Sequence, residues 1–364
     1  MGSILNLKQV INASGRMSIL GVSTLSDVVL DGMAYGGKHY FEMEDLVTQS
    51  GQAVAGMLGT EAALIVNSAS AGIALSIAGA IAKDKHQLVE NIYAPAPQVQ
   101  REILLMKGHN VDYGAPVETM IRLGGGIPVE AGYANGCRLE QLEQSISEQT
   151  AAVLFIQSHH AVQKNMPALD DVYALCQRYN VPLILDAAAE DHPQSYSERA
   201  DVVIFSGSKA LEGPTSGILA GKKTYVSYAA QHQKGIGRAM KVGKEAIFGL
   251  LAALQHYDAR PRPAREQQEE LMKLQELEAI PGVRVTIEQD EAGRPIYRGR
   301  IHVDEQEAAC NALTLVARLK EGNLAVYTRD YHANEGSIDL DLRPLQAGDL
   351  EKIIAKVKQI LGGA

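Results

Sequence analysis

The chain has 364 residues, 46 % of them hydrophobic, which is more than one ordinary domain requires and predicts two lobes. Its 34 basic and 43 acidic side chains give a formal net charge of −9, which repels the phosphate backbone of nucleic acid and argues against such a partner. Cys137, Cys176 and Cys310 show no CxxC spacing, no stretch reaches the roughly 18 apolar residues of a membrane helix, and the opening lacks a secretory pattern; a disulfide framework, a thiolate metal cluster and a membrane partner are disfavoured, and a cytoplasmic location is expected.

In chain order, the Gly- and Ser-rich stretch up to Gly37 predicts an extended arm, of the kind that crosses to a partner subunit. A helical pattern follows from Glu44 to Met57, then a short buried strand, Ala62 to Val66, which stops at Asn67-Ser68. The small apolar segment Ser70 to Ala82 suits a buried helix. Strand Ala152 to Gln157, amphipathic helix Ala168 to Arg178, strand Pro182 to Asp186 and strand Val202 to Phe205 then alternate, which predicts a parallel sheet with right-handed crossovers. Gly217 to Gly221 reads as a further strand. Arg260-Pro261-Arg262-Pro263 marks a break before a long helix, Ala264 to Glu278. Beyond it, strands at Val283 to Ile287, Arg298 to Val303 and Ser337 to Leu342 with helices at Ala308 to Lys320 and Leu350 to Leu361 read as a separate α+β lobe. The expected boundaries are an arm over 1–37, a large domain over 38–255 and a small domain over 256–364.

Ligands of parallel sheets collect at the carboxyl ends of strands, where three groups of residues stand out. In Ile204-Phe205-Ser206-Gly207-Ser208-Lys209 an apolar strand ends in two hydroxyls and a lysine; desolvation there lowers an amine's pKa, as a Schiff-base lysine needs, although a lysine in a solvated loop reads the same way. Asp186, after Leu183-Ile184-Leu185, is a carboxylate that burial would penalise unless it met a cation such as a pyridinium nitrogen, or that caps the next turn. The turn Asn67-Ser68-Ala69-Ser70-Ala71-Gly72 offers backbone amides at a helix N-terminus to a phosphate. Gly237 to Lys244 resembles a P-loop only superficially, since five residues separate its glycines and Glu245 stands where Ser or Thr should bind magnesium. Gly124 to Gly126 reads as a turn. His159 and His160 are adjacent, so on a strand they face opposite ways and cannot both bind one metal. No metal site is expected.

Phosphate cup, ring-nitrogen carboxylate and lysine, in that chain order, resemble the aspartate-aminotransferase-like (fold type I) group of pyridoxal-phosphate enzymes. The strings Val10-Ile11-Asn12-Ala13-Ser14-Gly15, Leu123-Gly124-Gly125-Gly126 and Gly237-Arg238-Ala239-Met240-Lys241-Val242 are similar to its selenocysteine-synthase-like branch. Within that branch, Ser14-Gly15-Arg16-Met17-Ser18 and Tyr113-Gly114-Ala115-Pro116 resemble the D-glucosaminate-6-phosphate ammonia-lyases. The resemblance implies an α/β large domain with a mainly parallel sheet of seven strands, a smaller α+β C-terminal domain and a homo-oligomer of at least two subunits. It also implies pyridoxal 5'-phosphate on Lys209, with Ala69, Ser70, Asp186, Ser206 and Ser208 as further cofactor contacts. Arg343 would grip the substrate carboxylate, Arg16 would reach a phosphate or sugar hydroxyl, and His109 and Tyr113 are candidates to stack on the ring. The implied reaction is elimination of water and ammonia from a phosphorylated 2-amino sugar acid, with a selenocysteine-synthase-like transfer or an aldol cleavage of amino acids, and a non-catalytic binding protein, as alternatives.

Overall fold

A computed structural model of the chain describes residues 5–158, 161–257, 262–290 and 295–362. The chain forms two compact units, one of Leu25–Ala259 and one that joins Met1–Thr24 to Arg260–Ala364. Strand β1 (Gln9–Ala13) belongs to the smaller unit. The larger unit holds β2 (Ala62–Val66), β3 (Glu102–Met106), β4 (Ile127–Ala131), β5 (Thr150–Ile156), β6 (Leu183–Asp186), β7 (Val202–Ser206) and β8 (Gly217–Gly221).

These seven strands make one sheet in the order β2-β8-β7-β6-β5-β3-β4. β8 is antiparallel to both its neighbours, and every other pair is parallel. All residues of β5, β6 and β7 are buried, so each reads as an unbroken apolar run rather than an alternation, as expected of strands covered on both faces. Helix α1 (Asp27–Lys38) precedes α2 (Met43–Leu58) and α3 (Ala69–Ala82), and α2 and α3 pack on this sheet. α3 is buried from Ala71 to Ala82, and its small residues bring it close to β7: a Cβ on Gly72 would lie 2.9 Å from Ile204 Cγ2. Part of the stretch expected to be extended is therefore helical. α1 packs on the helix Lys244–His256, and its glycines permit the approach, since a Cβ at Gly36 would lie 2.8 Å from the Lys244 carbonyl oxygen.

In the smaller unit β9 (Val283–Gln289), β10 (Tyr297–Val303) and β12 (Ser337–Asp341) form an antiparallel sheet in the order β12-β10-β9. Strand β11 (Leu324–Thr328) pairs in parallel with β1, from Gln9 opposite Leu324 to Ala13 opposite Thr328. The helices Ala312–Leu319 and Asp349–Leu361 complete its core. The first of them starts later than its periodicity suggests because Asn311 caps it, accepting the Thr314 amide at 2.9 Å. The expected helix from Ala264 to Glu278 is α-helical to Leu271 and tightens to a 3₁₀ helix over Met272–Ala279. Among the described residues no helix is long and apolar enough to cross a membrane.

Candidate active site

Three strand ends meet at one edge of the large sheet. β2 and β7 both run antiparallel to β8 between them, so their carboxyl ends lie level, and the register sets Gly217 opposite Val66 on one side and Ser206 on the other. β6 is parallel to β7, and Asp186 at its end pairs with Ile204. The sequence places α3 directly after β2. Ser68 caps it: the Ala71 amide donates to its Oγ at 3.1 Å, the hydroxyl donates to Asn67 Oδ1 at 3.1 Å, and the Gly72 amide donates to its carbonyl at 3.1 Å. The amides of Ala69 and Ser70 take no acceptor among the described residues, which is the arrangement that attracts an anion. Gly217 allows the strand to pass close behind this turn, because a Cβ there would lie 2.5 Å from the Ser68 carbonyl carbon and 2.7 Å from the Ala69 nitrogen.

β7 ends at Ser206, whose Oγ lies 3.3 Å from Ser208 Oγ. The following turn is tied to itself. The Gly207 amide donates to the Ser216 carbonyl at 2.9 Å, the Gly213 amide to the Gly207 carbonyl at 2.8 Å, and the Glu212 amide to the Lys209 carbonyl at 3.2 Å. Lys209 is half-buried on this turn. Asp186 is 8 % exposed, and its Oδ1 accepts the Ala188 amide at 3.0 Å. Burial pushes its carboxyl above the usual range, while the Ala188 amide and the charge of Lys209 pull it back. The turn-capping reading of Asp186 is thus met through Ala188, and the same carboxyl lies buried within the electrostatic reach of Lys209. Amides and hydroxyls for an anion, a buried carboxylate in want of a cation and a primary amine are the donor set that pyridoxal phosphate requires.

His109 ends the 3₁₀ turn Lys107–His109 after β3 and has no exposed surface. The Ile156 amide donates to its Nδ1 at 3.1 Å, and its ring meets Phe155 edge to face at 4.6 Å between centroids. Burial lowers this imidazole to about 4. It is a neutral core ring with no face open to a ligand. Tyr113 is half-buried, and its hydroxyl lies 3.2 Å from Ser70 Oγ. Lys244, at the end of the string that superficially resembles a P-loop, donates to the carbonyls of Gly36, Gly37 and His39. His159, His160, Arg260 and Pro261 lie outside the described residues.

Arg16 and Arg343 both belong to the smaller unit. Arg343, just beyond β12, donates from Nε to Asp341 Oδ1 at 2.9 Å and from Nη2 to Oδ2 at 2.7 Å. Arg298 bridges the same Asp341 at 3.1 Å and Asp290 at 2.9 Å. Burial alone would raise the Asp341 carboxyl, but the Arg343 and Arg298 charges outweigh it and hold the group at about 2. Arg16 is half-buried in the turn after Gly15, a residue with φ of +110° beside which Asp341, Arg329 and Arg343 converge within 4 Å of an ideal Cβ. Arg298, Arg329 and Asp341 were not anticipated from sequence; the only available signal was the alternation Asp339-Leu340-Asp341-Leu342-Arg343, which places charges on a buried strand.

The chain matches the beta-eliminating lyase family over residues 26–292. It is 41 % identical to the D-glucosaminate-6-phosphate ammonia lyase of Salmonella typhimurium, over 98 % of this chain and 96 % of that one. It is 36 % identical to a 5'-C-glycyluridine monooxygenase-decarboxylase of a Streptomyces species, over 99 % and 92 % of the two chains. An L-seryl-tRNA(Sec) selenium transferase of Alkaliphilus oremlandii is 28 % identical over 70 % of this chain and 56 % of its own. A solved structure of D-glucosaminate-6-phosphate ammonia-lyase matches with a TM-score of 0.91 at 41 % identity, covering 97 % of this chain and 96 % of that one. A mutant aspartate aminotransferase of Thermus thermophilus, at 16 % identity and a TM-score of 0.52 over 97 % and 92 % of the two chains, shares the fold. The chain therefore belongs to the beta-eliminating lyase family, within the fold type I group of pyridoxal-phosphate enzymes.

Proposed function

We propose that this chain converts D-glucosaminate 6-phosphate into 2-keto-3-deoxygluconate 6-phosphate and ammonia, a reaction in which the water lost from the sugar acid is regained when the amine is hydrolysed away. The observation that carries this reading is the end-to-end match, 41 % identity over 98 % of the chain, to an enzyme of that name.

Pyridoxal phosphate, when bound, supplies an electron sink for bond breaking at a substrate α-carbon. Lys209 would hold it through Nζ, Asp186 would face its ring nitrogen, and the Ala69 and Ser70 amides with the Ser206 and Ser208 hydroxyls would take its phosphate. The Lys209 amine is the base for the Cα proton of the substrate. Arg343, its fork oriented by the two-point pairing with Asp341, serves the substrate carboxylate, and Arg16 serves the distant phosphate, whose binding orients the reacting carbon. The enzyme works in the cytoplasm as at least a homodimer; the exposed side chains of Val28, Leu30 and Tyr35 on α1 and of Tyr40 after it supply apolar surface for a second copy.

The test is equimolar release of ammonia and a 2-keto acid from D-glucosaminate 6-phosphate by cofactor-loaded protein, faster than from the unphosphorylated acid. No ammonia from the phosphorylated acid, with turnover of a seryl or aldol substrate, would replace the lyase by a transferase or aldolase; absence of any turnover together with cofactor binding would leave a binding protein. The 36 % identical relative is named a monooxygenase-decarboxylase, so oxygen uptake and carbon dioxide release are followed in the same vessel.

A further inference from the structure

We infer that Tyr113 is a positioning residue for the cofactor phosphate: its phenol donates to Ser70 Oγ and so turns the Ser70 hydroxyl hydrogen toward the anion at the start of α3. The inference rests on the pyridoxal-phosphate reading of this edge. The two hydroxyls, 43 residues apart in sequence, lie 3.2 Å apart. Ser68 uses its hydroxyl within its own turn, on the Ala71 amide and the Asn67 side chain. Ser70 differs, since among the described residues its hydroxyl has Tyr113 as a hydrogen-bond partner and no other. A phenol is the stronger donor of the two and an aliphatic hydroxyl the stronger acceptor, so the hydrogen of Tyr113 belongs between them and that of Ser70 points away from the pair. The residues Asn67 to Ser70 are half-buried whereas all of α3 from Ala71 onward is buried, so the hydroxyl is released at the accessible rim of the turn.

Tyr113 is held for this task. The Gly114 amide donates to Asp112 Oδ1 at 2.7 Å, the Tyr113 amide to the Ala115 carbonyl at 3.3 Å and the Val117 amide to the Val111 carbonyl at 3.0 Å, a closed loop that leads into the helix Val117–Leu123. Burial first of all raises the phenol above its usual value against the effect of the Ser70 bond, and the negative Asp186 adds to the rise. The hydroxyl therefore keeps its hydrogen at working pH and brings no second negative charge to the phosphate.

Cofactor-free protein titrated with pyridoxal 5'-phosphate and, separately, with pyridoxal reads the phosphate contribution alone. Tyr113→Phe is expected to weaken binding of the phosphorylated compound about tenfold, the scale of one hydrogen bond to a charged group, and to leave pyridoxal binding unchanged. Ser70→Ala should lose the same amount, and the double variant no more than either single one. Equal weakening of both compounds, which ring stacking or a structural role would give, overturns the inference; so do additive losses or an unaltered affinity. Melting curves of the cofactor-free variants report folding, and if Tyr113→Phe does not fold, Ser70→Ala against Ser70→Thr carries the comparison, with the threonine hydroxyl expected to restore most of the loss. Wild-type protein that binds neither compound overturns the cofactor reading beneath it, a result distinct from any of these.

Discussion

Asp186 does its structural work with one oxygen. Oδ1 holds the Ala188 amide and so fixes the turn that leaves β6, while burial and the nearby Lys209 act on the carboxyl as a charge. Asparagine can keep the acceptor and cannot keep the charge. Asp186→Asn is therefore expected to fold and melt close to wild type while kcat falls roughly 10²–10³-fold, the scale for removing one preorganised electrostatic contact. A rate within threefold of wild type would mean that the carboxylate serves the turn alone. Lys209 separates backbone from side chain in the same way, because the contact that ties its turn is the Glu212 amide on its carbonyl, which alanine retains. Lys209→Ala should keep its melting temperature, release no ammonia and show no cofactor fixed to the chain by borohydride. Cofactor trapped on the variant would point to another lysine.

At the scale of elements, the legible parts were those whose signal is local. The runs ending at Asp186 and Ser206, and the small residues of α3, announce buried strands and a buried helix because their neighbours cover them all round. α1 escaped because Gly32, Gly36 and Gly37 depress helix propensity, and the reason for two of them is tertiary: a Cβ at Gly32 or Gly36 would come within about 3 Å of the backbone of the helix Lys244–His256. β4 is half-exposed and contains Pro128, so it shows neither a run nor an alternation. β1 and β11 pair across some three hundred residues, a contact no local window can show. The site followed the same division, with the large-sheet residues readable and the Asp341 ion network not. Gly217 shows how one position couples elements. Gly217→Ala puts a carbon against the Ser68 backbone, which cannot swing aside like a side chain, so it should lower the melting temperature and weaken pyridoxal-phosphate binding by tenfold or more. Gly56→Ala, on the exposed side of α2 with nothing within 4 Å of the new carbon, should instead stabilise by about 0.5–1 kcal/mol. Equal effects from both substitutions would remove close approach as the reason for Gly217.

Across the whole molecule, acid should act on the two units at different pH. In the larger unit, burial lowers His109 from 6.5 to about 4, so the unfolded chain takes the proton more readily than the folded one. The associated stability is complete above about 6.5 and is lost as pH falls through 4, to the extent of about 3 kcal/mol. His232, also buried in that unit, is lowered by burial as well and acts in the same direction. In the smaller unit Asp341 is held at about 2 against 3.8, so its share, about 2 kcal/mol, is intact above 3.8 and disappears only as pH falls through 2. Hydrogen exchange at graded pH resolves the two: amides of β5, which sit beside His109, should lose protection between about 6.5 and 4, whereas those of β12 should keep theirs until below about 4. His109→Gln, which leaves an acceptor for the Ile156 amide but no titrating ring, should be less stable at neutral pH and flatten the loss in β5 while leaving the β12 profile unchanged. Simultaneous loss of protection in both strands at every pH would show that the units unfold as one, and that neither buried group sets the acid limit of its own unit.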